Sequence, residues 1–364
     1  MAPSDASPYE LAPAKPALES AWPVVAVEFL TTPAVPPAEA LPELAGVPAT
    51  SPPDLLIAHA ATVKEWLAIL DKLETMGIAL RQAERDHPDP LVAVWIAEAT
   101  ENPEPLAPVA DLMLLGGGWS LLRQLLHELE GCGRLGHAVS LERLAAIPGV
   151  YVPSLYAVEY APEGPIARVM PRPGVPLPAG REGAAPFPLR TETGYRRYFV
   201  GEPNGRIERI AEAIKRERHE ARVRLKREPP PVSVSLTCLV PWPWGPYQWA
   251  PMATEERLKD EIRRASRLLA RVPGVMVTHD QPKWALLEGV LKMGDRRAGD
   301  LLLLTRRLGW NQARLASPLN PAFILHRQRP KSEILPWDHL GWGIDRGALW
   351  EEAEPLRAGA GQKS

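Results

Sequence analysis

Apolar positions along the chain fall into short unbroken runs, separated by stretches in which they recur every three or four residues. Leu55-Leu56-Ile57-Ala58, Leu91 to Ala97 and Leu112-Met113-Leu114-Leu115 are runs of the first kind and predict strands covered on both faces. Between the first two, Trp66, Leu70, Leu73 and Met76 have helical spacing. That helix opens at Thr62 with Glu65 three residues on, a pair that can cap reciprocally, and Gly77 stops it. After Gly116-Gly117-Gly118 a second helix carries Leu121, Leu122, Leu125, Leu126 and Leu129. Such strands alternating with helices predict a doubly wound parallel sheet over residues 20–135, with the apolar run Val24 to Leu30 as a further strand.

A second α/β pattern occupies residues 195–350. Tyr198-Phe199-Val200 is strand-like, and Ile207, Ile210 and Ile214 begin a helix that the charged stretch Lys215 to Arg227 continues. Val232 to Val240 is a β-branched strand. Thr254, followed by Glu255 and Glu256, starts a helix whose stripe is Leu258, Ile262, Ala265 and Leu269; acids in a first turn suit the helix dipole. Val275-Met276-Val277 is a strand, and helices follow from Trp284 to Leu291 and from Ala298 to Leu308. Between the two patterns, residues 136–194 hold a short helix (Ser140 to Ile147), an extended run (Val150 to Pro153) and an irregular, Pro/Gly-rich bridge over 161–193. The ends, 1–19 and 351–364, predict disorder.

Composition narrows the classes. Charged residues make up 24% and the formal net charge is −2, so no global field draws the chain to nucleic acid or a membrane. Neither an apolar run long enough to span a bilayer nor a secretory leader is expected. Cys132 and Cys238 are the two cysteines, too few for a disulfide framework or for a site of three or four thiolates; the expected compartment is the reducing cytosol.

Several strings belong together. Glu104-Pro105-Leu106-Ala107 leads into Asp111-Leu112-Met113-Leu114, and Ile147-Pro148-Gly149-Val150-Tyr151-Val152-Pro153-Ser154 follows. Val232-Ser233-Val234-Ser235, Val240-Pro241, Gln248-Trp249-Ala250-Pro251, Gly294-Asp295-Arg296-Arg297 and Leu335-Pro336-Trp337-Asp338-His339 come later. In this order they resemble an uncharacterised family of radical SAM proteins with an N-terminal B12-binding-like domain, over roughly residues 54–156 and 198–350. The resemblance implies a Rossmann-like, cobalamin-binding-type sheet domain (20–135) followed by a partial TIM barrel with C-terminal helices (195–350). It also implies a Cys-x3-Cys-x2-Cys loop holding a [4Fe–4S] cluster that cleaves S-adenosylmethionine. Here the pattern departs: cluster iron is held by thiolates, and no third cysteine exists. Residues 157–197, where the first barrel strands belong, are too short for them at roughly 30 residues per βα unit. The barrel is therefore expected as a truncated remnant.

Candidate sites follow. Gly116, Gly117 and Gly118, between a strand and a helix, could meet a phosphate or nucleotide, or simply make a tight connection. Pro241 to Trp249 is a proline-stiffened aromatic loop; Trp242, Trp244, Tyr247, Gln248 and Trp249 are candidates for a contact surface, or else cover the edge left by the missing strands. Asp295, Arg296 and Arg297 could take a carboxylate or phosphate, or cap a helix. Lys215 to Arg227 could grip RNA phosphates, or be a solvated helix face. No catalytic or metal residues are assigned, since the histidines have no ligand spacing.

The leading expectation is a degenerate, non-catalytic relative serving as a binding or regulatory subunit of an intact radical SAM protein, without an iron–sulfur cluster or other cofactor. The alternative is an enzyme subunit that retains cobalamin or S-adenosylmethionine binding and modifies RNA or peptide beside such a partner. A decayed, idle product is the third.

Overall fold

A computed structural model describes residues 27–31, 53–86, 88–132, 137–180, 195–202 and 207–354. Of the ends expected to be disordered, 1–19 and 355–364 lie outside the described residues, as do residues 24–26 of the first strand and 181–194 of the bridge; 351–354 are described, and 351–352 close a helix instead. Ten helices and ten strands are seen among the described residues.

The first sheet consists of β1 (Val27–Thr31), β2 (Leu55–His59), β3 (Leu91–Ile96), β4 (Leu112–Leu115) and β5 (Val150–Tyr151), lying side by side in that order. The first four are parallel and β5 is antiparallel to β4. Every residue of β3 and β4 is buried, which is why these runs are apolar without alternation. The expected doubly wound arrangement is not formed: strand order follows chain order and nowhere reverses among the described residues. The reason lies in the connections. Only a 3₁₀ turn, Glu104–Leu106, lies in the β3–β4 connection, and β5 enters antiparallel.

Helix α1 (Val63–Thr75) opens as its sequence predicts. Glu65 N donates to Thr62 Oγ1 at 3.3 Å and Thr62 N donates to Glu65 Oε2 at 3.0 Å. Helices α2 (Gly118–Cys132) and α3 (His137–Leu144) follow β4. The bridge, expected irregular, contains a hairpin of β6 (Tyr156–Tyr160) and β7 (Ile166–Pro171). Pro162, Pro165 and Gly164, the last at φ +105°, sit in its turn, where Ala161 N donates to Pro165 O at 2.8 Å. Turn residues concentrated between two short strands look like coil in sequence.

The second sheet joins β8 (Tyr195–Val200), β9 (Val232–Cys238) and β10 (Val275–His279), all parallel. Helices α4 (Ile207–Leu225) and α5 (Glu255–Leu269) connect them in turn and pack together. Val234, Leu236 and Cys238 are buried on one side of β9. Ser233, Ser235 and Thr237 are half-buried on the other, beside Phe199 of β8 and Met276 of β10, which are 41% and 56% exposed. One face of this sheet is therefore dressed by helix; the other is a mixed surface that, among the described residues, exposes Phe199 and Met276. Helices α6 (Pro282–Met293), α7 (Arg297–Leu308), α8 (Trp310–Ala316), α9 (Pro321–Leu325) and α10 (Arg346–Glu352) complete the chain.

The buried apolar residues of both sheets form one contiguous core. A polar knot crosses it. Glu104, 1% exposed, accepts a short hydrogen bond from Tyr151 OH and one from Arg296 Nε at 2.7 Å. Arg296 also donates to Tyr151 OH at 2.7 Å and to Tyr156 O at 2.6 Å. His339 stacks edge-on against Tyr151, with its Nε2 3.5 Å from Glu104 Oε1. Burial first, and then the Glu104 charge, hold the Tyr151 hydroxyl well above its ordinary pKa, so it stays a donor. Nearby, Asn102 Nδ2 donates to Gly294 O at 2.6 Å. Arg296→Ala leaves a buried carboxylate short of its cation and is expected to destabilise by about 3–5 kcal/mol in urea unfolding. A loss under about 1 kcal/mol would show that the knot does not hold the two sheets together.

Candidate functional site

In α/β structures the backbone geometry leaves crevices at the carboxyl ends of parallel strands, where loops diverge and ligands collect. Here such a crevice, about 550 Å³, opens where β9 ends at Cys238 and β10 at His279. Thr62, Val63 and Lys64, the N-cap and first residues of α1 after β2, form the opposite wall. Strand ends from both sheets thus meet across one space.

Helix α6 supplies much of the lining. Trp284, Glu288 and Lys292 recur at four-residue spacing and so share one helical face. Glu288 and Lys292 pair at 3.1 Å. The Trp284 ring carries two ammonium groups, Lys64 Nζ at 5.2 Å and Lys283 Nζ at 5.5 Å from its centre. Asp280 sits just past the end of β10, and its Oδ2 accepts from Cys238 N at 3.0 Å, fixing the carboxylate across the strand ends. Trp242 and Phe199 add aromatic surface. The lining thus offers flat apolar walls with charges of both signs, suited to a ring-bearing zwitterion or to a partner's polar loop.

Cys238 reaches this crevice, but its thiol is held up at about 12 by burial and by the nearby carboxylates Asp280, Glu261 and Glu288. It is thus protonated at neutral pH and is no nucleophile. At the end of β3, Glu101 Oε2 accepts from Ala97 N at 2.8 Å, and burial pushes its carboxyl up to about 7 despite Lys292 nearby.

The residues singled out from sequence divide. Trp242 lines the crevice. Trp249 is fully buried with its ring 5.0 Å from that of Trp350, and Gln248, also fully buried, accepts from Trp337 Nε1 at 3.0 Å. Trp244, at φ +53°, donates its backbone N–H to Gln248 Oε1 at 3.2 Å, and Tyr247 lies 6.3 Å from Trp242. Most of that loop therefore turns into the core. Gly116, Gly117 and Gly118 are buried with φ of +65°, +70° and +53°. A side chain would strain each of them. Their turn closes on itself, with Ser120 Oγ donating to Gly117 O at 2.8 Å. Arg296 belongs to the Glu104 knot, and Arg297 binds Asp295 at 2.6 Å and lies over the Tyr160 ring. Sequence reasoning missed Trp284, Glu288 and Lys292, for which the four-residue spacing on α6 was the available signal; the adjacent His279-Asp280 pair reads in sequence as structural, yet both residues line the crevice.

Residues 54–153 match the family described as radical SAM proteins, N-terminal. Over those residues, less than a third of its length, the chain is similar to that family. No curated protein and no solved structure matches it.

That relationship implies a [4Fe–4S] cluster, and the residues present do not fit one. Cys132 ends α2 and Cys238 ends β9; both are buried, and the sequence has no other cysteine. Among the described residues no three His, Cys, Asp or Glu side chains are grouped to hold a metal ion.

The Glu101 carboxyl provides a pH test of the strand-end environment. Its folded pKa lies above its unfolded one, so its contribution to stability is full below about 4.5 and is lost as pH rises through about 7. Glu101→Gln keeps the acceptor and removes the loss. Its unfolding free energy relative to the natural chain should rise by about 2 kcal/mol from pH 5 to pH 8. A difference that does not change with pH contradicts the burial of this group.

Proposed function

We propose that this chain is a non-catalytic relative of radical SAM proteins that works as a binding subunit, docking an intact radical SAM protein on the open face of its second sheet. The observation that supports this is the sidedness of β8, β9 and β10. One face is buried under helices, while the other exposes Met276 and Phe199 beside Ser233, Ser235 and Thr237. Those are the positions that further barrel strands would cover in a complete barrel, by the resemblance to that fold. Phe199 and Thr237 also line the strand-end crevice, so the open face and the crevice form one continuous surface. A truncated barrel that keeps this surface while offering two separated cysteines suits recognition and not radical initiation.

Sedimentation of the purified chain with an intact radical SAM protein carrying the same N-terminal region is expected to give a complex. Met276→Asp, at an exposed position, should weaken it at least tenfold without loss of stability. Absence of a complex, or one indifferent to Met276→Asp, overturns the docking reading.

A second reading has its own support in the crevice: the chain retains S-adenosylmethionine or cobalamin as a bound small molecule. The walls of Trp242 and Trp284, with Asp280 and Lys64 at hand, suit an adenosyl ring bearing an amino acid group. At about a hundred times Kd, such a ligand should raise the Tm by roughly 3–6 °C, and Trp284→Ala should abolish the rise. A Tm unmoved by either compound removes this reading and leaves the first standing.

A further inference from the structure

The second sheet carries a basic tip at the end opposite the crevice. Helix α4 is anchored through buried Ala211 and Ile214, whereas every side chain from Arg222 to Glu228 is exposed. This last stretch of helix and the turn beyond it project from the body. Lys226, at φ +52°, takes the left-handed conformation that ends a helix and folds the chain back. Arg218 then clamps the returning strand, donating from Nη1 to Pro230 O at 2.9 Å. The Arg218 guanidinium lies against Gly274, in the turn between α5 and β10, which brings Arg271 of the same turn beside the tip. Arg222 is paired with Glu228 at 3.1 Å. Arg224, Lys226, Arg227 and Arg271 have no carboxylate within ion-pair reach among the described residues. On a chain of net charge −2, four unpaired cations at one projecting tip are a local concentration of charge.

We propose that this tip binds nucleic acid duplexes through their phosphate backbone. Arginine forks take phosphate oxygens two at a time, and three of the four free cations are arginines. Sequences 201–241 and 250–283 contain no Phe, Tyr or Trp, so the tip has no platform on which unpaired bases could stack. Recognition therefore falls on phosphates and is independent of sequence. Val223 and Leu225 are exposed, but each adjoins a cation pointing elsewhere around the helix, and no apolar face forms that could enter a bilayer. Nor does a convex, charged tip without an aromatic centre resemble a protein–protein interface core.

Fluorescence anisotropy of the full chain tests this with RNA and DNA duplexes of the same sequence, the corresponding single strands, phosphatidylserine vesicles and polyglutamate. Both duplexes are expected to bind with similar, micromolar affinity at low salt, more tightly than the single strands. Four phosphate contacts imply a log–log salt slope of about −3 to −4. Arg224→Gln, Arg227→Gln and Arg271→Gln together should weaken duplex binding at least tenfold and flatten the slope by about 2–3, as each lost phosphate contact removes nearly one. Arg314→Gln, on an exposed face of α8, should leave affinity within about twofold, since it removes no phosphate contact. Failure of duplexes to bind at low salt, a slope unchanged in the triple variant, or vesicles or polyglutamate binding as tightly as duplex each overturns the proposal.

Discussion

One buried carboxylate governs how this protein holds together. Glu104 lies in the turn between β3 and β4, out of water, and a carboxylate there is tolerated only when it is paired and hydrogen-bonded. Its partners come from far along the chain: Tyr151 from β5, Arg296 at the head of α7, and His339 from the C-terminal segment. Satisfying one group thus brings the first sheet, the hairpin strand at Tyr156 and the C-terminal helices into one arrangement. The close approach of α7 to the same turn, where Gly299 packs against Pro105 and Pro108, leaves little room for sliding. Apolar contacts in the shared core supply the stability, but they are non-directional; the knot supplies the geometry.

That arrangement places the ends of β9 and β10 opposite the start of α1. The crevice follows from it, as neither sheet encloses such a space alone. A second ion pair, Arg85 with Asp111, does similar work within the first sheet: Asp111 Oδ2 accepts from Val92 N at 2.7 Å while Arg85 reaches the carbonyls of Ala79 and Val109. Arg306, bound to Asp71 and Glu74 of α1, adds another link between α7 and the first sheet. Charged side chains in this molecule serve mainly as fasteners between elements. The crevice is lined by charges that remain accessible, and the α4 tip bears cations that remain unpaired.

The elements themselves were largely legible. Local physics decides them: continuous apolar runs make β2, β3 and β4, the Thr62–Glu65 capping box starts α1, and Thr254 starts α5 through its side-chain acceptor. The hairpin of β6 and β7 was hidden because its turn residues outweigh two short strands whose outer positions are polar. The aromatic loop from Trp242 to Trp249 was legible as a feature but not in its orientation. A tryptophan's neighbours decide whether it meets solvent or core, and those neighbours, Trp337 and Trp350, lie roughly a hundred residues away.

By itself, then, the sequence determined most of the secondary elements, the similarity of residues 54–153 to radical SAM proteins and the lack of a third thiolate, because each depends on residue types and near neighbours. Tertiary structure decided the order of the strands, the partners of Glu104, which tryptophan faces the crevice, and which face of the second sheet stays open. Those outcomes depend on contacts between positions far apart in the chain, whose cost and reward appear only once both ends are in place.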